Sequence, residues 1–132
     1  MKVITFGEIL LRLTAEGYKK LFQNDIFETS FCGAEANVAV SLANFGLNSC
    51  FITKVPDNEV GQAAINSLRC FGVDTSSVVR GGERLGLYYL EKGASQRPTK
   101  IIYDRMLSAI ANASIEDFDW NQIFKGVNWF HF

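Results

Sequence analysis

The chain has 132 residues, of which 48% are hydrophobic, and this length and composition allow one buried core and disfavour two independent domains. Lys and Arg number 13 against 14 Asp and Glu, so the net charge is −1 and no strong field attracts nucleic acid or an anionic membrane surface. No run approaches the roughly 18 apolar residues that a membrane-spanning helix needs. We therefore expect neither nucleic acid nor a membrane as a partner.

The cysteines and the single histidine carry no signal for a disulfide framework or a zinc site. Cys32, Cys50 and Cys70 are widely spaced and odd in number, and His131 lies far from them. This usage is typical of a reducing cytoplasm, and it predicts no metal-binding residue.

The first elements are predicted strands. Residues 3–6 are mostly apolar and run up to Gly7, which predicts a buried strand that ends in a tight connection. Apolar and polar residues then alternate around Leu11 and Leu13, and again over 27–31. A partly open β element is therefore expected early in the chain.

Two helices with a strand between them follow. Apolar residues recur at helical spacing over 34–45, and Gly46 supplies a stop. The run from Cys50 to Val55 has the continuous apolar character of a strand buried on both faces. Pro56-Asp57-Asn58 then opens a helix that ends at Gly72. The expected apolar stripe of this helix is Val60, Ala64, Leu68 and Phe71. The alternation predicts an α/β domain with a mainly parallel sheet.

The last third of the chain departs from this alternation. Residues 84–91 and 100–105 are rich in β formers, which predicts a hairpin with a long loop. A weakly helical stretch over 108–125 precedes an apolar run at 127–132 that we interpret as another core strand. Because parallel sheets are covered on both faces, this pattern favours a fragment, and the alternative is a complete small domain with an aromatic edge strand.

The strongest local signal is Gly33-Ala34-Glu35-Ala36-Asn37 at the start of the first predicted helix. A glycine lets the backbone approach a ligand, a helix N-terminus presents free N–H donors, and the Asn37 amide can donate and accept. That combination suits a polyhydroxylated ligand. The spacing alone leaves open that Gly33 only turns a strand into the helix.

Tyr103 and Arg105 form a second candidate site. They are two residues apart in a predicted strand, so their side chains share one face of the sheet. Arginine offers a planar fork to a carboxylate, and a phenol can bond a hydroxyl or pack on a carbon skeleton. A sugar acid would satisfy both, and the alternative is a surface ribbon with a solvated Arg105.

These residues resemble the N-terminal signature of the PfkB, or ribokinase-like, carbohydrate kinases, in which Gly33, Asn37, Gly46 and Gly61 stand at the expected spacing. The resemblance covers essentially the whole chain, and four stretches are similar to the 2-keto-3-deoxygluconate kinase branch. Those stretches are Gly7 to Leu13, Gly33 to Ala43, Arg84 to Tyr88 and Tyr103 to Arg105.

Two positions depart from the family pattern. Cys32 stands where that pattern usually has glycine or alanine, and a thiol is small enough to fit there. Leu11 stands near the place where ribokinases and fructokinases usually carry a sugar-binding aspartate. The absence of that aspartate argues against recognition of a neutral sugar at this point.

The resemblance implies that residues 1–132 are the N-terminal part of one kinase domain with a ribokinase-like three-layer fold. It implies an inserted β lid with strands around 10–32 and 84–105, which in several family members pairs with the lid of another subunit. The implied substrate-binding residues are Gly33, Ala34, Asn37, Tyr88, Tyr103 and Arg105. Tyr88 is favoured over Tyr89, since the two point to opposite faces.

The implied activity is ATP- and Mg²⁺-dependent phosphorylation of 2-keto-3-deoxygluconate to its 6-phosphate. In the family the catalytic aspartate belongs to a Gly-Ala-Gly-Asp segment, which is expected beyond Phe132, so we expect this chain alone to be inactive and to hold no cofactor-binding residue. Two alternatives stay open. One is a fructokinase- or ribokinase-type enzyme of the same family, and the other is a non-catalytic sugar-binding or dimerisation module.

Overall fold

A computed structural model describes all residues of the chain, 1–132. Strands dominate the element order, and two of its three α-helices are long enough to cover a sheet. In chain order the elements are β1 (Lys2–Phe6), β2 (Leu10–Ala15), β3 (Phe27–Cys32), α1 (Ala34–Asn44), β4 (Asn48–Ile52), β5 (Lys54–Val55), α2 (Glu59–Arg69), β6 (Val79–Arg80), β7 (Leu87–Glu91), β8 (Lys100–Asp104), a 3-10 turn (Ile115–Asp117), α3 (Trp120–Ile123) and β9 (Trp129–His131). No helix has the length and apolar character required to cross a membrane.

The first sheet has three parallel strands in the order β4-β1-β9. Alternate side chains of its strands enter two separate apolar clusters, because successive residues of a strand point to opposite faces. Ile4 and Ile52 pack with Phe118 of the C-terminal segment. Phe51 packs with residues of α1 and α2, among them Ala39. Cover on both faces of this parallel sheet, by α1 and α2 on one and by the C-terminal segment on the other, confirms the predicted α/β class.

The second sheet has four strands in the order β3-β2-β7-β8. β2 runs antiparallel to β3 and parallel to β7, and β7 runs antiparallel to β8. Leu11 and Phe31 point from this sheet onto the cluster formed with α1 and α2. The strands within 10–32 and 84–105 thus belong to one mixed sheet whose other face does not contact that cluster.

Close backbone approaches explain how both long helices begin. A Cβ atom on Gly33 would lie 2.0 Å from the Glu8 carbonyl oxygen, so only glycine fits before α1. At the start of α2, the Asn58 side chain accepts a hydrogen bond from the Gly61 N–H at 3.0 Å. A Cβ atom on Gly61 would lie 2.1 Å from the Pro56 carbonyl oxygen. These contacts fix where each helix meets the preceding chain.

The expected stripe of α2 was partly wrong. Val60 is 42% exposed and Phe71 is 52% exposed. The buried residues are Gly61, Ala64, Ile65 and Leu68. Gly61 lies against the Pro56 carbonyl, and the buried stripe of α2 starts at this glycine, one residue later than the apolar pattern indicated. Phe71 lies in the turn that follows the last residue of the helix, Arg69.

Three other segments differ from the sequence-based expectations. The run from Cys50 to Val55 divides into β4 and β5, and β5 pairs with β6, a two-residue strand that was not predicted. Within 108–125 only the 3-10 turn and the four-residue α3 are helical. β9 joins the first sheet but lies at its edge, and Trp129 is 65% exposed.

Candidate functional site

A small polar cavity lies where the N-terminus of α1 meets the connection between β1 and β2. Its volume is about 370 Å³. The residues that line it are Phe6, Gly7, Glu8, Leu10, Gly33, Ala34, Glu35, Arg105 and Phe132. Because no side chain caps α1, the first N–H groups of the helix are left without a side-chain acceptor at this cavity.

Two glycines lie at positions where a side chain would clash with the residues that line the cavity. The Glu8 carbonyl excludes any side chain at Gly33. A Cβ atom on Gly86 would lie 2.4 Å from Glu8 Oε1 and 3.0 Å from Arg105 Cβ. Gly86 therefore leaves the space in which the carboxylate and the arginine approach each other.

The cavity carries two carboxylates and one guanidinium. Ser108 Oγ donates to Glu8 Oε1 at 2.6 Å, and Arg105 Nε lies 3.5 Å from Glu8 Oε2. The Glu8 side chain is 16% exposed, whereas that of Arg105 is 57% exposed. The Glu35 carboxylate lies over Gly7, where a Cβ atom would meet it at 2.2 Å. The cavity floor is therefore acidic and its rim is cationic.

One face of the four-stranded sheet continues from this rim. The strand register places Ser30, Arg12, Tyr88 and Tyr103 in a row across β3, β2, β7 and β8. The rings of Tyr88 and Tyr103 lie with their centroids 5.4 Å apart. The Arg105 guanidinium carbon lies 5.7 Å from the centroid of the Tyr103 ring. An aromatic surface and a cation thus adjoin the cavity.

The Tyr88 hydroxyl is held on this face by the residue that precedes Gly33. A hydrogen bond of 2.9 Å joins it to Cys32 Sγ. Burial, and then this bond, raise the pKa of Tyr88 above its ordinary value, while Arg12 opposes the rise. The phenol therefore stays protonated at neutral pH and can donate a hydrogen bond.

The structure brings together five of the six residues that the sequence singled out. Gly33, Ala34 and Arg105 line the cavity, and the paired rings of Tyr103 and Tyr88 extend its rim. Tyr89 points to the opposite face, as the alternation required, where it packs with Phe22 and Phe27.

Asn37 is the residue that the structure places apart from the other five. It is exposed on α1 and lines a larger groove of about 570 Å³ between β3, α1 and α2. Eight of the 12 residues lining that groove are hydrophobic, Phe31 and Phe71 among them. The smaller cavity concentrates the charged and hydrogen-bonding groups, so we regard it as the candidate site.

Sequence reasoning missed four residues near the site. Glu8 directly follows Gly7 at the end of a buried strand, a position that often carries polar groups of a site in α/β proteins. Gly86 stands next to a strand, where glycine often marks a close approach. Arg12 is one of the polar residues that alternate with apolar ones along β2, so nothing in the sequence separates it from other half-exposed strand residues. Ser108 gave no signal in the sequence.

The fold is that of an α/β protein, with a parallel sheet covered on both faces, and the polar cavity at the N-terminus of α1 is its candidate small-molecule site. Residues 1–127 match the family model described as pfkB family carbohydrate kinase. The chain belongs to this family, and the resemblance drawn from its sequence is confirmed.

Solved structures and curated proteins that are similar to this chain are also sugar kinases. The chain is 56% identical to 2-dehydro-3-deoxygluconokinase from Thermotoga maritima, with a TM-score of 0.98 over 100% of this chain and 40% of that one. It is 34% identical over 112 residues to a 2-dehydro-3-deoxygalactonokinase of Haloferax volcanii, covering 85% of this chain and 35% of the relative. A sugar kinase from Pyrococcus horikoshii in complex with ATP is 27% identical, with a TM-score of 0.80, covering 96% of this chain and 42% of that one. The chain thus spans between 35% and 42% of the length of these relatives.

Proposed function

We propose that this chain is the substrate-holding part of an ATP-dependent kinase that phosphorylates 2-keto-3-deoxygluconate, also called 2-dehydro-3-deoxygluconate, to its 6-phosphate. The observation that carries the proposal is Arg105, which stands at the rim of the polar cavity beside Tyr103. A cation, two phenols and free backbone donors suit a carboxylate on a hydroxylated chain. The similarity to kinases named for two such keto sugar acids supports it.

Each residue has a role in this proposal. Arg105 bonds the carboxylate, and Tyr103 and Tyr88 pack on the carbon chain, with the protonated Tyr88 hydroxyl able to donate. The N–H groups at Gly33 and Ala34 donate to hydroxyl or carbonyl oxygens at the uncapped start of α1.

Asn37 is proposed as a further hydroxyl contact from the second turn of α1. Its side-chain amide is exposed and offers both donors and an acceptor to a ligand. Because Asn37 faces the larger groove, a ligand in the cavity has to extend past Gly33 to form a hydrogen bond with its amide.

We further propose that the four-stranded sheet is the lid of the kinase, made by strands around 10–32 and 84–105 of a domain part spanning 1–132. Its row of polar and aromatic side chains faces the same side as the cavity rim. A sheet in this place would close over the sugar acid and exclude water from the transfer step. The same sheet is the proposed surface for pairing with a second subunit.

The residues of this chain do not themselves fit the cofactors of the reaction. ATP would supply the phosphoryl group, and Mg²⁺ would neutralise charge on the phosphates. Residues 1–132 contain no group of three or more His, Cys, Asp or Glu side chains that could hold a metal ion, and the sequence has no Gly-x-x-x-x-Gly-Lys-Ser/Thr loop. We assign no step of phosphoryl transfer to them.

A second candidate is a kinase of the same family that acts on a neutral sugar such as fructose or ribose. The carboxylates of Glu8 and Glu35 at the cavity favour it, because they accept hydrogen bonds from hydroxyls and repel an acid.

Titration calorimetry on the 132-residue chain separates the two candidates. The ligands are 2-keto-3-deoxygluconate, 2-keto-3-deoxygalactonate, fructose and ribose. We expect both sugar acids to bind at least about tenfold more tightly than either neutral sugar, since a charge-assisted bond is lost with the carboxylate. Equal or tighter binding of fructose would overturn the assignment to a sugar acid. An ATP-coupled assay on the same sample is expected to show no transfer.

A further inference from the structure

Arg12 is a cation on the ligand-facing side of the four-stranded sheet that the proposed site has not used. It lies in β2, in register with Ser30 on one side and Tyr88 on the other. Its Nε donates to Ser30 Oγ at 2.8 Å, and its side chain is half-buried. The bond to Ser30 holds the guanidinium on this face, next to the Tyr88 hydroxyl.

The charge of Arg12 is not neutralised within the chain. Four of the six arginines pair with a carboxylate: Arg80 with Asp57, Arg84 with Asp104, Arg97 with Glu91 and Arg105 with Glu8. Arg12 and Arg69 have no carboxylate within 4.0 Å, and Arg69 donates instead to Thr75 Oγ1. Of the two, only Arg12 lies beside the residues of the candidate site.

The electrostatics of the cavity direct a carboxylate toward this residue. Glu8 and Glu35 line the cavity, and the first of them already pairs with Arg105. An anionic group is therefore repelled from the cavity floor and only partly attracted by a guanidinium whose charge is shared. The sheet face beside Tyr88 offers a cation without that competition.

We infer that Arg12 is a second contact for the substrate carboxylate and helps to select acids over neutral sugars. This inference rests on the proposed function, because it names a specificity-determining residue of the same site. In the register of the sheet, Tyr88 stands between Arg12 and Tyr103, and Arg105 directly follows the strand of Tyr103 with its guanidinium over the Tyr103 ring. A sugar acid packed on Tyr88 places its carboxylate between two guanidinium groups, each of which can offer a planar pair of donors.

The test compares an acid with its uncharged isostere. The 132-residue chain is titrated with 2-keto-3-deoxygluconate and with the corresponding carboxamide, which keeps the shape and loses the charge. Arg12→Met is expected to weaken binding of the acid by about tenfold and to leave binding of the amide within about twofold. Arg12→Lys, which keeps the charge without the fork, is expected to lie between Arg12→Met and the unchanged chain.

Two controls keep the result interpretable. Arg69→Met removes an equally unpaired charge away from the site, and it is expected to change neither affinity. Ser30→Ala removes the bond that orients Arg12 and is expected to weaken binding of the acid by a smaller factor, so it tests the inference even where Arg12→Met impairs folding by circular dichroism.

Different outcomes contradict different statements. An equal loss of acid and amide binding in Arg12→Met, or no loss for either, would overturn the inference and leave the proposed function standing. Failure of the unchanged chain to prefer the acid over the amide contradicts the proposed function, and the role of Arg12 fails with it.

Discussion

Tyr88 and Tyr103 face each other across β7 and β8, in register and with ring centroids 5.4 Å apart. The pair connects the two ends of the candidate site. Tyr88 is bonded to Cys32 directly before Gly33, and Tyr103 lies beneath the Arg105 guanidinium. The aromatic pair thus joins the helix N-terminus to the cationic rim.

Substitution of Tyr103 tests the aromatic surface. Tyr103→Ala is expected to weaken binding of 2-keto-3-deoxygluconate by about threefold to tenfold, because the ring pair and its support of Arg105 are lost. Its neighbour Ile102 is also exposed on β8 but points to the opposite face. Ile102→Ala is the matched control and should bind normally by calorimetry. A comparable loss in both variants would mean that β8 acts through its stability and not through this face.

Arg105 should govern affinity for the charged part of the ligand. Arg105→Met is expected to weaken binding of the acid by about tenfold, the lower end for a charge-assisted bond because the side chain is largely exposed. Raising the salt concentration should reduce the difference between the variant and the unchanged chain. An unchanged affinity for the acid would remove Arg105 from the site.

Gly33 should couple the fold to the site. Gly33→Ala places a Cβ atom 2.0 Å from the Glu8 carbonyl oxygen, so the start of α1 has to move. We expect a loss of about 1–3 kcal/mol in the free energy of unfolding, measured with urea, and weaker binding of the acid.

Gly46→Ala is the control for that experiment. Gly46 has a φ of 78° and no neighbour within 4 Å of an added Cβ atom. Its substitution should cost about 1 kcal/mol through backbone strain alone and leave the affinity unchanged. Full affinity in Gly33→Ala would show that the geometry at the N-terminus of α1 does not matter for the ligand.

The thiols should differ sharply in reactivity with pH. Burial raises the pKa of the Cys50 thiol to about 11, whereas Cys70 is exposed. Since the thiolate is the reactive form, roughly one Cys50 in a thousand is reactive at pH 8. Mass spectrometry after iodoacetamide treatment at pH 8 should find Cys70 modified and Cys50 protected.

The same shift has a consequence for stability. The folded state favours the protonated thiol of Cys50, because burial raises its pKa to about 11. The protonated thiol therefore makes its full contribution to the free energy of unfolding below the ordinary thiol pKa, and this contribution declines as the pH rises toward about 11. Rapid labelling of Cys50 at pH 8 in the folded chain would contradict its burial in the first sheet.

The sequence was most informative where local pattern and packing agree. Residues 3–6 form an apolar run before Gly7 and residues 34–45 have a helical period, and the structure confirms a strand and a helix there. The glycine at 33 was recognised as special, but the reason, contact with the Glu8 carbonyl, involves residues far apart in the chain. The sequence pattern alone therefore does not reveal why glycine is required at this position.

Tertiary contacts explain what the sequence did not predict. The apolar Val60 and Phe71 look like core residues, yet both are exposed. Gly61 takes the buried position against Pro56, and Phe71 lies in the turn after α2. Arg12 resembles any solvated strand residue until the register places it beside Tyr88. The acidity of the cavity was also invisible, since Glu8 and Glu35 become neighbours only when α1 packs on the β1–β2 connection.

A crystal structure of this chain with 2-keto-3-deoxygluconate tests the central claim most directly. The account predicts ligand density over the Tyr88 and Tyr103 rings, with the carboxylate within hydrogen-bonding distance of Arg105 and hydroxyl oxygens at the N-terminus of α1. Density for the ligand in the apolar groove beside Phe71, with the cavity at Gly33 empty, would contradict it.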